Sequence, residues 1–239
     1  MSTENLLRET SPREAEKICY SPPTAHKGNG QDYLIYFISG NPGLISFYEP
    51  FLSHLHSLLS SASATNNDQF HICGHSYRGF EILPESKGPD SPLGLEAQID
   101  DQEDRLYDHV QAHWKATGKS PKVILMGHSV GAYILLELIQ RHQNRIKERN
   151  EKDFDLIGGI LLFPTIADIA QSPLGRVARL FLPVPGFAAI VGAIVSGLTS
   201  MLPVRVLGQL VRVFTKFPDY AAKTTTAFIK SRMGVRQAL

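Results

Sequence analysis

The chain has 239 residues, of which 43% are hydrophobic, and this is enough for one domain with a substantial core. Its 24 Lys and Arg residues nearly balance its 23 Asp and Glu residues, so the net charge of +1 gives no support to a nucleic-acid partner. Two cysteines are too few for a disulfide framework, and the polar N-terminus lacks the apolar stretch of a secretory signal, so we expect an intracellular protein.

Short apolar runs alternate with helical patterns along the first two thirds of the chain. Four runs are typical of buried strands, and they cover residues 33–39, 70–73, 122–126 and 156–163. Three stretches have helical character, with Gly118 placed to end the second of them, and they cover residues 51–60, 95–117 and 132–149. This alternation predicts an α/β fold in which helices cover both faces of a mostly parallel sheet.

Three regions follow from this pattern. Residues 1–32 form an N-terminal segment to which we assign no element, and residues 33–175 hold the α/β core. Residues 176–239 are both apolar and basic, and we expect them to form a lid or a membrane-binding region.

The sequence Gly-His-Ser-Val-Gly at 127–131 lies between an apolar strand and an apolar helix. A nucleophilic serine at such a turn is held in a strained conformation, which requires small neighbours on both sides, so Gly127 and Gly131 have a steric reason to be glycine. The interpretation is that Ser129 is a nucleophile and that the amide of Val130 donates to a developing oxyanion. The alternative is that Ser129 only caps the helix.

A second oxyanion donor is expected in the loop Gly-Asn-Pro-Gly at 40–43, which follows the first strand. Pro42 has no N–H, so the donor is Asn41 or Gly43, and we favour Asn41. The alternative is an ordinary Asn-Pro turn. A further turn-rich segment at 74–79 is expected to be a loop near the site, where His75 either lines the pocket or is a satisfied polar residue.

The chain resembles the lipid-droplet-associated hydrolase family, a branch of the α/β-hydrolases, from about Tyr33 onwards. The resemblance rests on GNPG at 40–43 with FY at 47–48, GH at 74–75, LEAQI at 95–99, GHSVG at 127–131, LFPTI at 162–166 and SPLG at 172–175. It implies the α/β-hydrolase fold and a serine hydrolase of neutral-lipid or sterol esters that is found on lipid droplets and the endoplasmic reticulum. It implies no metal and no organic cofactor.

The catalytic histidine of this fold follows the nucleophile in the chain, and His142 is the only histidine after Ser129. His142 falls in the predicted helix, about 20 Å from Ser129 at 1.5 Å per residue, so we expect it to be a surface residue of that helix. Asp168 follows the fourth strand and could be the acid, but a turn or helix cap is the better interpretation. We therefore expect a truncated or alternatively spliced chain, or else a catalytically inactive relative.

The segment that begins at Leu180 and ends at Phe217 predicts contact with lipid. Residues 180–204 carry no charge and are long enough to span a membrane, but three prolines and three glycines favour a lid or a hairpin in one leaflet over a spanning helix or a buried core segment. The next stretch has the pattern of a basic amphipathic helix, with one apolar face formed by Leu207, Leu210, Val211, Phe214 and Phe217. The alternative is a helix that faces an ordinary protein core.

Overall fold

The computed structural model describes residues 16–22, 30–63, 67–80, 93–149, 153–167, 171, 175–176 and 187–231. The strands in these residues are β1 (Lys17–Tyr20), β2 (Asp32–Ile38), β3 (Gln69–His75), β4 (Lys122–His128) and β5 (Asp155–Leu162). The α-helices are α1 (Glu49–Ala62), α2 (Leu95–Thr117), α3 (Val130–Arg149), α4 (Phe187–Ser200), α5 (Val204–Thr215) and α6 (Asp219–Lys230), and a short 3₁₀ helix spans Ile45–Tyr48.

The strands form one sheet in the order β1-β3-β2-β4-β5. Strand β2 pairs in parallel with both β3 and β4, and β4 pairs in parallel with β5, which confirms the mostly parallel sheet. Strand β1 pairs antiparallel with β3 and lies in the segment to which the sequence assigned no element. With only four residues, it is too short to give an alternating pattern of its own.

Both faces of the sheet are covered, because alternate residues of β2 pack against different helices. Tyr36 and Ile38 belong to a core cluster with residues of α2 and α3, such as Leu106 and Leu135. Ile35 and Phe37 point the other way and pack with Leu52 of α1. The central strand is therefore buried on both sides, as its continuous apolar sequence predicts.

Most predicted elements agree with the structure to within a few residues. Helix α2 has the expected bounds and ends at Gly118, which has a φ of +71° and donates its N–H to the Trp114 carbonyl at 2.7 Å. Strand β3 is longer than expected, because Gly74 and His75 continue it instead of opening a loop. They do so because they pair with β1, the strand that the sequence did not reveal.

The described part of the apolar C-terminal region is helical. Helices α5 and α6 pack through Leu207, Val211 and Ala222, and Phe228 of α6 stacks on Phe80 in the main core. None of the helices in residues 187–231 or elsewhere in the described chain is long and apolar enough to cross a membrane alone. Only a pair bent by 116°, Ala193–Thr199 with Val204–Thr215, meets that criterion when its two helices are taken together.

Candidate active site

Ser129 occupies the turn between β4 and α3. Its φ is +53°, a left-handed conformation that is costly for a residue with a side chain. Two backbone hydrogen bonds hold it there: the Ser129 N–H donates to the Leu162 carbonyl at 3.0 Å, and the Thr165 N–H donates to the Ser129 carbonyl at 3.2 Å. The strand-turn-helix context predicted for this serine is therefore present, and β5 and the residues after it brace the turn.

The two glycines that flank the turn have no room for a side chain. A Cβ at Gly127 would lie 2.4 Å from the Gly131 carbonyl oxygen. A Cβ at Gly131 would lie 2.4 Å from the carbonyl oxygens of both Ile38 and Ser39. The start of α3 thus packs backbone against backbone on the end of β2, which is the steric reason expected for glycine at both positions.

The loop after β2 lies directly against the serine. A Cβ at Gly40 would be 2.9 Å from Ser129 Cβ, so only glycine permits this approach. The Gly43 N–H donates to the Gly40 carbonyl at 2.6 Å, while the Gly40 N–H donates to the Tyr48 hydroxyl at 3.0 Å. The Asn41 amide makes no hydrogen bond to any residue that the structure describes, so of the two donors considered for this loop it is Asn41 that is available.

Tyr48 joins the loop to the end of β4. Its hydroxyl accepts the Gly40 N–H at 3.0 Å and lies within hydrogen-bond distance, 2.9 Å, of Nδ1 of His128. Burial raises the pKa of Tyr48, which keeps the phenol a donor. Nothing in the pattern of residues marked Tyr48 as part of the site, apart from its place in one of the motifs on which the family resemblance rests.

The residues after β3 brace the same loop from the other side. The Tyr77 N–H donates to the Gly43 carbonyl at 2.7 Å, and the Tyr77 hydroxyl donates to the Ser39 carbonyl. His75, which the sequence left as pocket-lining or satisfied, is the satisfied residue: it is buried, with Nδ1 3.0 Å from Arg105 and Nε2 2.7 Å from His109. Burial lowers the pKa of His75 well below its ordinary value.

The hydroxyl of Ser129 has a threonine as its partner. Ser129 Oγ lies 3.0 Å from Thr165 Oγ1, and within the described ranges no histidine hydrogen-bonds to it. Thr165 follows β5, and apart from its place in the LFPTI motif of the family resemblance nothing in the residue pattern connected it with Ser129. In this arrangement the serine is positioned but has no general base beside it.

The prediction that His142 is a surface residue is wrong. His142 is 4% exposed, and its ring stacks on Phe154 with the centroids 4.4 Å apart. The reason is that Phe154, just before β5, covers this side of α3, a contact between residues that are distant in sequence. Asp168, the candidate acid, lies outside the residues that the structure describes.

The predicted amphipathic face of α5 divides into two parts. Leu207 and Val211 are buried against α6, as in an ordinary core-facing helix, whereas Phe214 is 82% exposed. The helix ends at Thr215, so Phe217 lies beyond it. We call the exposed apolar residues in this part of the chain the C-terminal apolar surface: Ile190, Ile194, Leu198, Met201, Val204, Val206, Leu210, Val213, Phe214 and Phe217.

Several solved structures resemble the chain in outline. A soluble variant of monoglyceride lipase from Saccharomyces cerevisiae, in complex with a substrate analog, is 18% identical with a TM-score of 0.47, covering 78% of this chain and 55% of that chain. An esterase B from Lactobacillus rhamnosis, inhibited by a tributyrin phosphonate, is 18% identical with a TM-score of 0.43, covering 70% of this chain and 49% of that chain.

The sequence matches known proteins more specifically. The lipid droplet-associated hydrolase of Rattus norvegicus is 33% identical over 162 residues, which cover 63% of this chain and 43% of the relative. That of Gallus gallus is 29% identical over 188 residues, which cover 75% of this chain and 50% of the relative. The chain thus spans about half the length of these relatives or less. The model of the family described as "Lipid-droplet associated hydrolase" matches residues 31–239. The expected resemblance and the α/β fold with a mostly parallel sheet are confirmed, and the chain belongs to the lipid-droplet associated hydrolase family.

Proposed function

We propose that the chain is a serine-type carboxylic ester hydrolase that acts on neutral-lipid or sterol esters. The observation that carries this proposal is the strained turn at Ser129, which has a φ of +53° and is held against the Gly40 backbone. A serine stays at positive φ only where contacts with the surrounding structure hold its backbone in that conformation, and such strained positions are concentrated at active sites.

In the proposed reaction, Ser129 Oγ attacks the ester carbonyl carbon. The carbonyl oxygen becomes an oxyanion, which the amides of Val130 and Asn41 stabilise, and the alcohol leaves with a proton to give an acyl-serine. Water then attacks the acyl group, releasing the fatty acid and restoring the serine. Both steps need a base to take the proton of the nucleophile, and no described residue beside Ser129 supplies one.

We further propose that the protein works on lipid droplets and on the endoplasmic reticulum membrane. The support is the C-terminal apolar surface, where Met201 is 86% exposed, together with the exposed cations Arg205 and Arg212 in the same part of the chain, the second of which pairs with Asp219 at 2.9 Å. An apolar face flanked by cations fits a lipid interface, with the apolar side chains among acyl chains and the cations near anionic headgroups. The names of the relatives agree with the lipid droplet and say nothing of the endoplasmic reticulum.

The test is labelling of the chain, in detergent, with a fluorophosphonate probe that reacts with activated serines. We expect faint labelling that rises when free imidazole is added as a base, and that disappears in Ser129→Ala. The matched control is Ser46→Ala, which removes a serine from the 3₁₀ helix and should leave labelling unchanged. Labelling of Ser129→Ala at the wild-type level would refute the assignment.

A second candidate function is a catalytically inactive protein that binds lipid droplets or membranes. It is favoured by the bond between Ser129 Oγ and Thr165 Oγ1, which occupies the hydroxyl with a group that cannot act as a base at neutral pH. This candidate predicts that neither imidazole nor Thr165→Val, which frees the hydroxyl, produces labelling at Ser129. Labelling that appears under either condition would favour the esterase.

A further inference from the structure

A second group of chemically active side chains lies at the opposite end of the parallel strands from Ser129. Asp32 opens β2, His71 lies near the start of β3, and His113 lies in the last two turns of α2. Ser129 follows the C-terminal end of β4, which runs parallel to β2. At about 3.3 Å per residue, the length of these strands separates the two places by roughly 20 Å.

The three side chains are brought together by the fold. His113 Nε2 is 3.2 Å from Asp32 Oδ2, and the rings of His71 and His113 meet edge to face with centroids 4.9 Å apart. One ligand atom from each residue can be chosen so that all three lie within 4.8 Å of one another. The side chains of His113 and Asp32 are only 9% and 17% exposed, so the group is largely shielded from solvent.

His71 carries the observation that points to a ligand. Its Nε2 atom is buried and has no hydrogen-bond partner among the residues that the structure describes. Its other nitrogen, Nδ1, lies 3.2 Å from the Ser21 hydroxyl. If Nδ1 carries the proton and donates it to Ser21, Nε2 is left as a bare lone pair, which is the form of imidazole that binds a metal.

We propose that Asp32, His71 and His113 form a binding site for a divalent transition-metal ion, with Zn²⁺ the ion that this donor set fits best. Two imidazoles and one carboxylate suit zinc and its neighbours, whereas Mg²⁺ and Ca²⁺ prefer oxygen ligands. Ligand atoms around a tetrahedral zinc lie about 3.3 Å apart, since each metal–ligand distance is about 2.0–2.1 Å. The pair Asp32 and His113 already has this spacing, and His71 reaches it by a side-chain adjustment on the order of 1 Å.

Binding at this site ties together three elements that local sequence does not connect. Asp32 belongs to β2, His71 to β3 and His113 to α2, and the Ser21 hydroxyl next to β1 orients His71. The fourth coordination position of the ion is left for water. An ion bound at His113 Nε2 takes the place of the proton between this atom and Asp32, and the neutral ring then carries its proton on Nδ1. The site is separate from the proposed ester chemistry, which needs no metal.

A neighbouring group of potential ligands is less suited to a cation. Cys19, Cys73 and His109 also lie within 4.8 Å of one another. However, Lys17 and Arg105 lie close enough to oppose a cation there, and the hydrogen bond with Cys19, together with burial, raises the pKa of the Cys73 thiol.

The test is calorimetric titration of the chelator-treated chain in detergent with Zn²⁺, supported by the visible absorption of bound Co²⁺. We expect one ion per chain, and an affinity that falls at least tenfold in His113→Gln and in Asp32→Asn, since even outer-shell changes cost about 10–100-fold. Asp32→Asn keeps the shape and one acceptor of the side chain, so it tests the site even where His113→Gln does not fold.

The matched control is His109→Gln, which removes a histidine one helical turn before His113 on the same face of α2. We expect its affinity for Zn²⁺ to stay within about twofold of wild type, because the proposed site does not use it. The proposal is overturned by the absence of stoichiometric binding to the wild-type chain. It is equally overturned where His109→Gln or Cys73→Ser abolishes binding and Asp32→Asn does not. Neither result depends on whether the chain hydrolyses esters.

Discussion

Replacing Gly131 by alanine tests whether the turn at Ser129 is set by backbone contact. The added Cβ would lie 2.4 Å from two carbonyl oxygens, that of Ile38 at the end of β2 and that of Ser39 just after it. Because both neighbours are backbone atoms at the end of a central strand, neither can rotate away. Relief of the contact requires α3 and β2 to separate by on the order of 1 Å, more than the few tenths that a close-packed interior tolerates.

The magnitude follows from two opposing terms. Overpacking of a core costs about 1–3 kcal/mol, and a clash with two backbone atoms belongs at the upper end of that range. Alanine is favoured over glycine inside a helix by at most about 1 kcal/mol, which offsets part of the cost. The free energy of unfolding should therefore fall by about 2 kcal/mol, and the melting temperature by about 4–8 °C for a chain of this size.

The assay is thermal or denaturant unfolding of Gly131→Ala beside a matched control, Gly208→Ala. Gly208 lies inside α5, where an added Cβ would meet Thr226 Oγ1 at an ordinary 3.6 Å. There the helix-propensity term acts alone, and we expect stabilisation of about 0.5–1 kcal/mol. If Gly131→Ala is as stable as the wild type while Gly208→Ala behaves as expected, then the backbone contact does not explain the glycine.

Three further outcomes are expected. Replacing the exposed Met201 and Phe214 by glutamate should move a fluorescent fusion from lipid droplets or membranes to the cytosol. The control Leu58→Glu on α1 should leave the localisation unchanged. Unchanged localisation of the Met201 and Phe214 variant would contradict the lipid-surface proposal. The chain should aggregate in aqueous buffer, and detergent should keep it in solution. The reason is that β5 has no further strand beside it in the described sheet and that its Ile160 is 41% exposed. A detergent-free monomer with one cooperative unfolding transition would contradict this. The free energy of unfolding should decrease as the pH falls below 6.5, because burial lowers the pKa of His75, so that the unfolded chain binds a proton there and the folded chain does not. The variant His75→Gln should show a weaker dependence of the unfolding free energy on pH. An unchanged dependence would show that another group is responsible.

The sequence by itself determined the parts of this protein that depend on local pattern. Continuous apolar runs identified β2, β4 and β5. Burial on both faces explains such a run for the central strand β2, whereas β5 is largely exposed in the described structure. The helical spacing of α2 and the glycine after it gave both of its ends, since a left-handed cap favours glycine. The glycines around Ser129 were also predictable, because the tight turn between strand and helix is a local requirement.

Tertiary structure alone decided the features that depend on contacts between distant residues. Strand β1 is too short to give a pattern and exists because β3 offers it an edge. His142 is buried because Phe154 covers it, and a helical pattern cannot show which neighbour will pack on a polar residue. Two polar contacts likewise arise only when strands and helices that are distant in sequence pack together: the contact of Ser129 with Thr165, and the grouping of Asp32 with His71 and His113. Polar side chains carry no periodic signal in the sequence that shows where they will meet.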